Sequence, residues 1–305
     1  MPLSDIVLVK TQLDKLSAIP IQKVAVHSLN EITQLSNRLN DTKQTIEQAF
    51  DNFEHELDQV KLGIKKDIEE SEKHWFQESY KSYKEVIEWE LSEDPDTIFK
   101  IRKGYVEDME LLRSRLRLYV DWKYAAIVIH PGQEEFIEDM VGFDPLYIID
   151  VKHDLLLSAL GKFPEQYQNR LRSYTITENF DKDILDKIPD SQFGLCLAYN
   201  YLNYRPFEMI KKYLIEIYQK LKPGGTFILT FNDCDKTSAV KLVEKNERPY
   251  TPGHLIKSFA GSLGYQIVYT DNTDQASTWL ELCKPGELTT IKGGQSLAEI
   301  VSKPL

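Results

Sequence analysis

The sequence predicts an all-α region followed by an open α/β sheet, and three observations predict it. From about Leu29 to Trp75 there is no proline and, among glycines, only Gly63, while Glu, Gln, Lys, Asp and Leu are dense enough to favour helix. Beyond Lys123 short apolar runs alternate with helical stretches, the pattern of a parallel sheet. Between two of those stretches Pro223 stops a helix, and Gly224 and Gly225 permit a reversal into the apolar run Thr226 to Phe231. The boundaries that follow are a helical region at residues 1–123, an α/β domain at 124–287 and a polar tail at 288–305.

In the helical region Ile32, Leu39, Ile46, Phe53 and Val60 recur every seven residues, and Leu35, Ala49, Phe50, Leu57 and Ile64 fill neighbouring positions. Thr42, Lys43, Glu56 and Gly63 interrupt the second row, so the stripe fits either an oligomeric coiled coil or a helix pair folded within one chain. A homo-oligomer assembled through these helices is the expectation. Pro95, set among Glu93, Asp94 and Asp96, breaks the helix. A second helix is predicted from Thr97 to Val120, with Ile98, Ile101, Tyr105, Met109, Leu112, Leu116 and Tyr119 on one side. Trp75, Tyr80, Tyr83 and Trp89 are close to helical spacing and could stack bases or sugars, but core or helix-to-helix packing is the better account. His55 and Glu56 begin a zinc-protease-like helix motif that Gln59 spoils, since a second histidine is needed there.

In the α/β part, strands are predicted at Tyr124–His130, Leu146–Val151, Ser173–Thr177, Phe193–Tyr199, Thr226–Phe231, Tyr265–Thr270 and Thr278–Leu282, the last antiparallel. Helices are predicted at Glu134–Val141, Asp154–Arg172, Pro206–Leu221 and Thr251–Leu263.

Composition narrows the function classes. Hydrophobic residues at 42% and charged residues at 28% describe a globular chain, and no apolar run approaches the roughly 20 residues that cross a bilayer. The start of the chain carries no basic cluster before an apolar stretch, so the expectation is a cytoplasmic protein, or a virion component if the role is structural. The net charge of −11 is spread over both halves, which disfavours nucleic acid as a partner. Arg113, Arg115 and Arg117 with Lys123 form the strongest candidate for a basic patch, and a solvated helix face is the simpler account. Cys196, Cys234 and Cys283 are widely spaced, without a CxxC pair or metal-ligand spacing, and fit a reduced compartment.

Three stretches together resemble a known family. They are the turn Leu221-Lys222-Pro223-Gly224-Gly225 with its strand, the approach Ser191 to Asn200, and the end segment His254-Leu255-Ile256 through Gly264-Tyr265-Gln266-Ile267-Val268. In this order they are similar to the class I S-adenosylmethionine-dependent methyltransferases, over roughly residues 124–287. The resemblance implies a Rossmann-like seven-stranded sheet with S-adenosylmethionine at the carboxyl ends of the strands. It implies contacts to the cofactor from His130 and Gly132 in the first loop, from Asp150 to the ribose, and from Glu178 near the adenine. Tyr199 and Asn200 then stand where the family projects catalytic or substrate-positioning groups. The first loop departs from the family's glycine-rich pattern: His130 and Glu134 occupy its outer glycine positions and Val128 stands where an acid is usual, which implies weakened donor binding or none. Asn-Pro-Pro-Tyr, the signature of nucleic-acid amino-methylating members, is absent.

Two functions therefore stand side by side. One is a methyltransferase acting on a small molecule or a protein side chain. The other is a non-catalytic methyltransferase-fold module that docks protein partners within a larger assembly, for example a phage particle.

Overall fold

The computed structural model describes residues 10–12, 14, 26–94, 96–98, 109–131, 138–161, 163–271 and 275–288. The chain forms two compact units, Met1–Glu72 and Lys73–Leu305.

A single helix, α1, runs over Val26–Ser92, farther than the periodicity of its first half predicts. In the first unit its residues 51–71 are exposed throughout, and the positions before them are partly covered. There Lys43 pairs with Asp14 at 2.8 Å. In the second unit the same helix carries Phe76, Tyr83 and Ile87 toward the main core, where Phe76 stacks on Phe207 at 5.4 Å and Tyr80 meets Phe180 at 4.9 Å. Helix packing, rather than an open stacking platform, is thus the use made of Tyr80 and Tyr83. Of the predicted second helix, residues 96–98 and α2, Met109–Arg117, are helical, and residues 99–108 lie outside the described ones.

Seven strands follow: β1 Ala125–Ile129, β2 Leu146–Asp150, β3 Leu171–Thr175, β4 Phe193–Ala198, β5 Leu221–Asn232, β6 Gln266–Asp271 and β7 Ser277–Cys283. They form one sheet in the order β3-β2-β1-β4-β5-β7-β6. Neighbours from β3 to β5 are parallel, and β7 lies antiparallel between β5 and β6. This is the Rossmann-like, methyltransferase-type sheet that the sequence predicts, preceded by helix.

Alternation along the strands builds the two cores. Ile127 and Ile129 face a cluster with Ile210, Tyr213 and Leu214 of helix α5 (Phe207–Lys220) and Ile256 of helix α7 (Gly253–Ser262). Ala126 and Val128 face the other side, packing with Leu112 and Leu116 of α2 and Leu156 of helix α3 (His153–Leu160). The long helix expected over Asp154–Arg172 is instead α3 and a short α4, Glu165–Gln168, because Pro164 lies between them. That break lets β3 start at Leu171, two residues early. A helix absent from the sequence reading, α6, spans Thr237–Glu244. The expected Glu134–Val141 helix lies largely outside the described residues, and Glu138–Gly142 at its end is 3-10.

The glycine turn does what its composition demands. Gly224 has φ +79, and a Cβ there would sit 2.4 Å from the backbone nitrogen of Leu288, so a side chain is excluded by both conformation and space. Its amide donates to the Lys284 carbonyl at 2.8 Å, tying the turn to the end of β7.

The arginines of α2 do not form a basic patch. Arg115 grips Glu281 of β7 with both prongs of its guanidinium, each at 2.7 Å. Arg117 and Arg113 reach Asp139 at 2.8 and 3.3 Å. Acids from elsewhere in the fold neutralise all three, which no local sequence window reveals.

Candidate functional site

Strand order reverses between β1 and β4, so the crevice of an open α/β sheet falls at the carboxyl ends of these two strands. Every described candidate residue lies along this edge: His130 follows β1, Asp150 ends β2, Glu178 follows β3, and Tyr199 and Asn200 follow β4. Gly132 and Glu134 lie outside the described residues.

His130 has φ +55, the left-handed conformation that a glycine would adopt without strain. The backbone keeps the geometry of a glycine loop while presenting an imidazole. That ring turns toward the neighbouring strand end, where Nδ1 donates to Asp150 Oδ2 at 2.7 Å. Oδ1 of the same carboxylate accepts the Lys152 amide at 3.0 Å. Asp150 is 0% exposed and His130 5%, so the acid that the resemblance assigns to the ribose is engaged on both oxygens and closed to solvent.

Glu178 is held still more completely. Its Oε1 accepts the Tyr201 and Tyr213 hydroxyls, each at 2.8 Å, and Arg205 Nε at 2.9 Å, while Oε2 accepts the Tyr83 hydroxyl at 2.7 Å. Arg205 spends its remaining prongs on Glu90, at 2.9 and 2.8 Å. The side chains of Glu90, Arg205 and Glu178 are 2%, 0% and 1% exposed, which makes them a buried acid–base–acid triad. Burial opposes the charge on Arg205, yet the Glu178 carboxylate holds its pKa well above the ordinary guanidinium value. Burial also raises the phenols of Tyr83, Tyr201 and Tyr213, and the charge of Glu178 pushes the same way, so all three remain protonated donors.

The two groups are joined through Tyr201. Its ring stacks on His130 at 5.4 Å between centroids and lies 4.1 Å from the Arg205 guanidinium carbon. Lys152 donates to the carbonyls of Glu90 and Glu93, securing the carboxyl end of α1 against the same edge.

Of the two β4 candidates, Tyr199 is half-buried beside Trp279, with ring centroids 6.2 Å apart. Asn200 is buried with φ +51, and its amide nitrogen donates to Thr230 Oγ1 at 2.6 Å. Its Nδ2 has no hydrogen-bond partner among the described residues.

A methyl donor in this fold presents ribose hydroxyls and an adenine to the acids that end β2 and follow β3. Here both acids are already engaged within the chain, Asp150 by His130 and the Lys152 amide and Glu178 by Arg205 and three tyrosines, so as arranged these two acids do not fit the ribose and adenine of S-adenosylmethionine. Sequence alone gave no site role to Arg205, Tyr201, Glu90, Tyr83 or Tyr213. One signal pointed to a partner: Arg205 is the single charged residue from Ser191 to Phe207, and an arginine in such a stretch needs an acid. Among the described residues no group of histidine, cysteine or acidic side chains could hold a metal, and no helix is long and apolar enough to cross a membrane.

No family model and no curated protein matches the sequence. Among solved structures, a SAM-dependent methyltransferase from Aquifex aeolicus is 10% identical, with 63% of this chain and 100% of that one aligned at a TM-score of 0.44. A SAM-dependent methyltransferase from Archaeoglobus fulgidus is 14% identical over 58% and 94% of the chains, at 0.44. The geranyl diphosphate C-methyltransferase of Streptomyces coelicolor A3(2) is 7% identical over 58% and 78%, at 0.46. None of these likenesses bears on activity, and the fold assignment stands on strand order and direction.

Proposed function

We propose that this chain is a non-catalytic methyltransferase-fold module that serves as a docking or structural component of a larger assembly. The observation that carries the reading is the burial of Asp150 and Glu178 beneath the chain's own His130 and Arg205. Magnitudes favour it. Displacing Arg205 to admit a ligand would leave Glu90 and Glu178 buried without their counter-charge, a cost of about 3–5 kcal/mol. Binding at 1 mM supplies only about 4 kcal/mol. A donor would therefore have to disrupt the triad for little or no net gain.

Calorimetric titration of the full chain with S-adenosylmethionine and S-adenosylhomocysteine tests this. No heat of binding is expected with either compound at about 1 mM. Saturable binding with a Kd below about 0.1 mM, near 5.5 kcal/mol, would overturn it.

One observation favours a second reading, a methyltransferase acting on a small molecule or a protein side chain. Asn200 holds a left-handed backbone at the end of β4 with a buried amide group that no described residue accepts. Strain and unsatisfied polarity of this kind cluster at working sites. Binding of the donor in the titration would restore this reading, with Tyr199 and Asn200 as the groups facing the methyl acceptor.

A further inference from the structure

We propose that the segment from Ile46 to Ile64 of α1 packs, as a coiled coil, against the same segment of a second copy of this chain. Within it Ile46, Phe50, Phe53, Leu57, Val60 and Ile64 are spaced four and three residues apart in alternation, which places all six on one seam. At 1.5 Å per residue the seam is about 27 Å long. Its limits are chemical. Upstream, Ile32 and Leu39 continue one row while Ser36 and Lys43 break the other, and downstream Asp67 ends the seam.

Within the first unit the two stretches of the helix differ in what covers them. Around Lys43 the chain covers itself, for Lys43 bonds Asp14 at 2.8 Å and Glu47 lies 4.0 Å from Lys10. Beyond Phe50 nothing described does so: Phe53 is 54% exposed, Leu57 42%, Val60 57% and Ile64 54%. A helix exposed on every side relies on propensity alone, which rarely sustains helix in water without a packed apolar face. The opposite face is already finished with ion pairs along the helix, Lys65 with Glu69 and Lys66 with Glu70. The solvated side and the seam are thus distinct.

Charge complementarity identifies the occupant as a second copy. The positions flanking the seam are Glu47, Ala49, Glu54, Glu56, Lys61 and Gly63, with Lys61 the single base among three acids. A parallel partner sets Lys61 beside Glu56 of the other copy, and an antiparallel one with the six apolar residues matched sets it beside Glu47. Either direction satisfies Lys61 twice by symmetry.

The test is the mass of the full chain by light scattering, with the double variant Leu57→Asp, Val60→Asp and the single variant Lys61→Glu. The wild-type chain should have the mass of two copies or a higher whole multiple. The double variant should fall to one copy while the near-ultraviolet dichroism of the sheet unit stays unchanged. Lys61→Glu, which leaves only acids at the charged flanks, should weaken association about tenfold, with the loss reduced at high salt. A single-copy mass for the wild-type chain at tens of micromolar, or an undiminished mass in the double variant, would overturn the proposal. Neither result depends on whether the sheet unit binds a methyl donor.

Discussion

Arg205 and Glu90 face one another through a two-pronged ion pair, 2.9 and 2.8 Å long, with both side chains sealed from solvent. Glu178 completes the guanidinium's coordination from the other side. Arg205→Met would keep the packing volume and abolish the counter-charge of two buried acids. We expect a loss of about 3–5 kcal/mol in urea unfolding. The paired replacement Arg205→Met, Glu90→Gln should recover part of that loss, because it removes one of the two stranded charges. An Arg205→Met chain as stable as the wild type would mean that the triad does not hold this edge together.

The bond between Arg115 and Glu281 makes stability depend on pH. Burial works to raise the Glu281 pKa, but hydrogen bonds from Arg115, Tyr119 and Trp279 outweigh it and hold the carboxyl below its ordinary 4.5. Because the folded value lies below the unfolded one, the contribution is fully present above pH 4.5 and is lost as pH falls through the folded value. Glu281→Gln should lower stability at pH 7 and flatten the fall in melting temperature on acidification. An acid limb identical to that of the wild type would assign the acid sensitivity to other groups.

Where the chain is cut should decide whether the sheet folds. A chain beginning at Lys73 keeps Tyr83, Glu90 and Arg115, and should be folded. One beginning at Tyr124, where the sequence pattern changes to strands, loses all three and leaves Arg205 with one of its two acids and Glu281 without its base. With each broken pair costing about 3–5 kcal/mol against a usual stability of 5–15 kcal/mol, that fragment should be unfolded or molten. Dispersed proton resonances from the shorter fragment would contradict this.

How much of this was legible in advance depended on how local each feature is. The sheet was legible: alternation, helix punctuation and the Pro223–Gly225 turn are written in neighbouring residues, and six of the seven strands fall within two residues of where those patterns put them, while β5 starts five residues early, at Leu221. Pro164 shows the limit of reading periodicity alone, since one residue divides what looked like a single helix and starts β3 early. The site was legible only as positions. His130, Asp150, Glu178, Tyr199 and Asn200 can each be placed on the crevice edge from strand order.

What each of those side chains can offer was decided by tertiary structure. Tyr83 reaches Glu178 across 95 positions of sequence, and Glu90 reaches Arg205 across 115. No periodicity in α1 announces such contacts, because a helix presents the same local pattern whether its last turns meet solvent, another chain or a buried arginine. The sequence by itself therefore determined the methyltransferase-type sheet and the acids along its edge. Only the fold decided that those acids are bound from within, because the cost of burying a carboxylate depends on which distant cation arrives beside it.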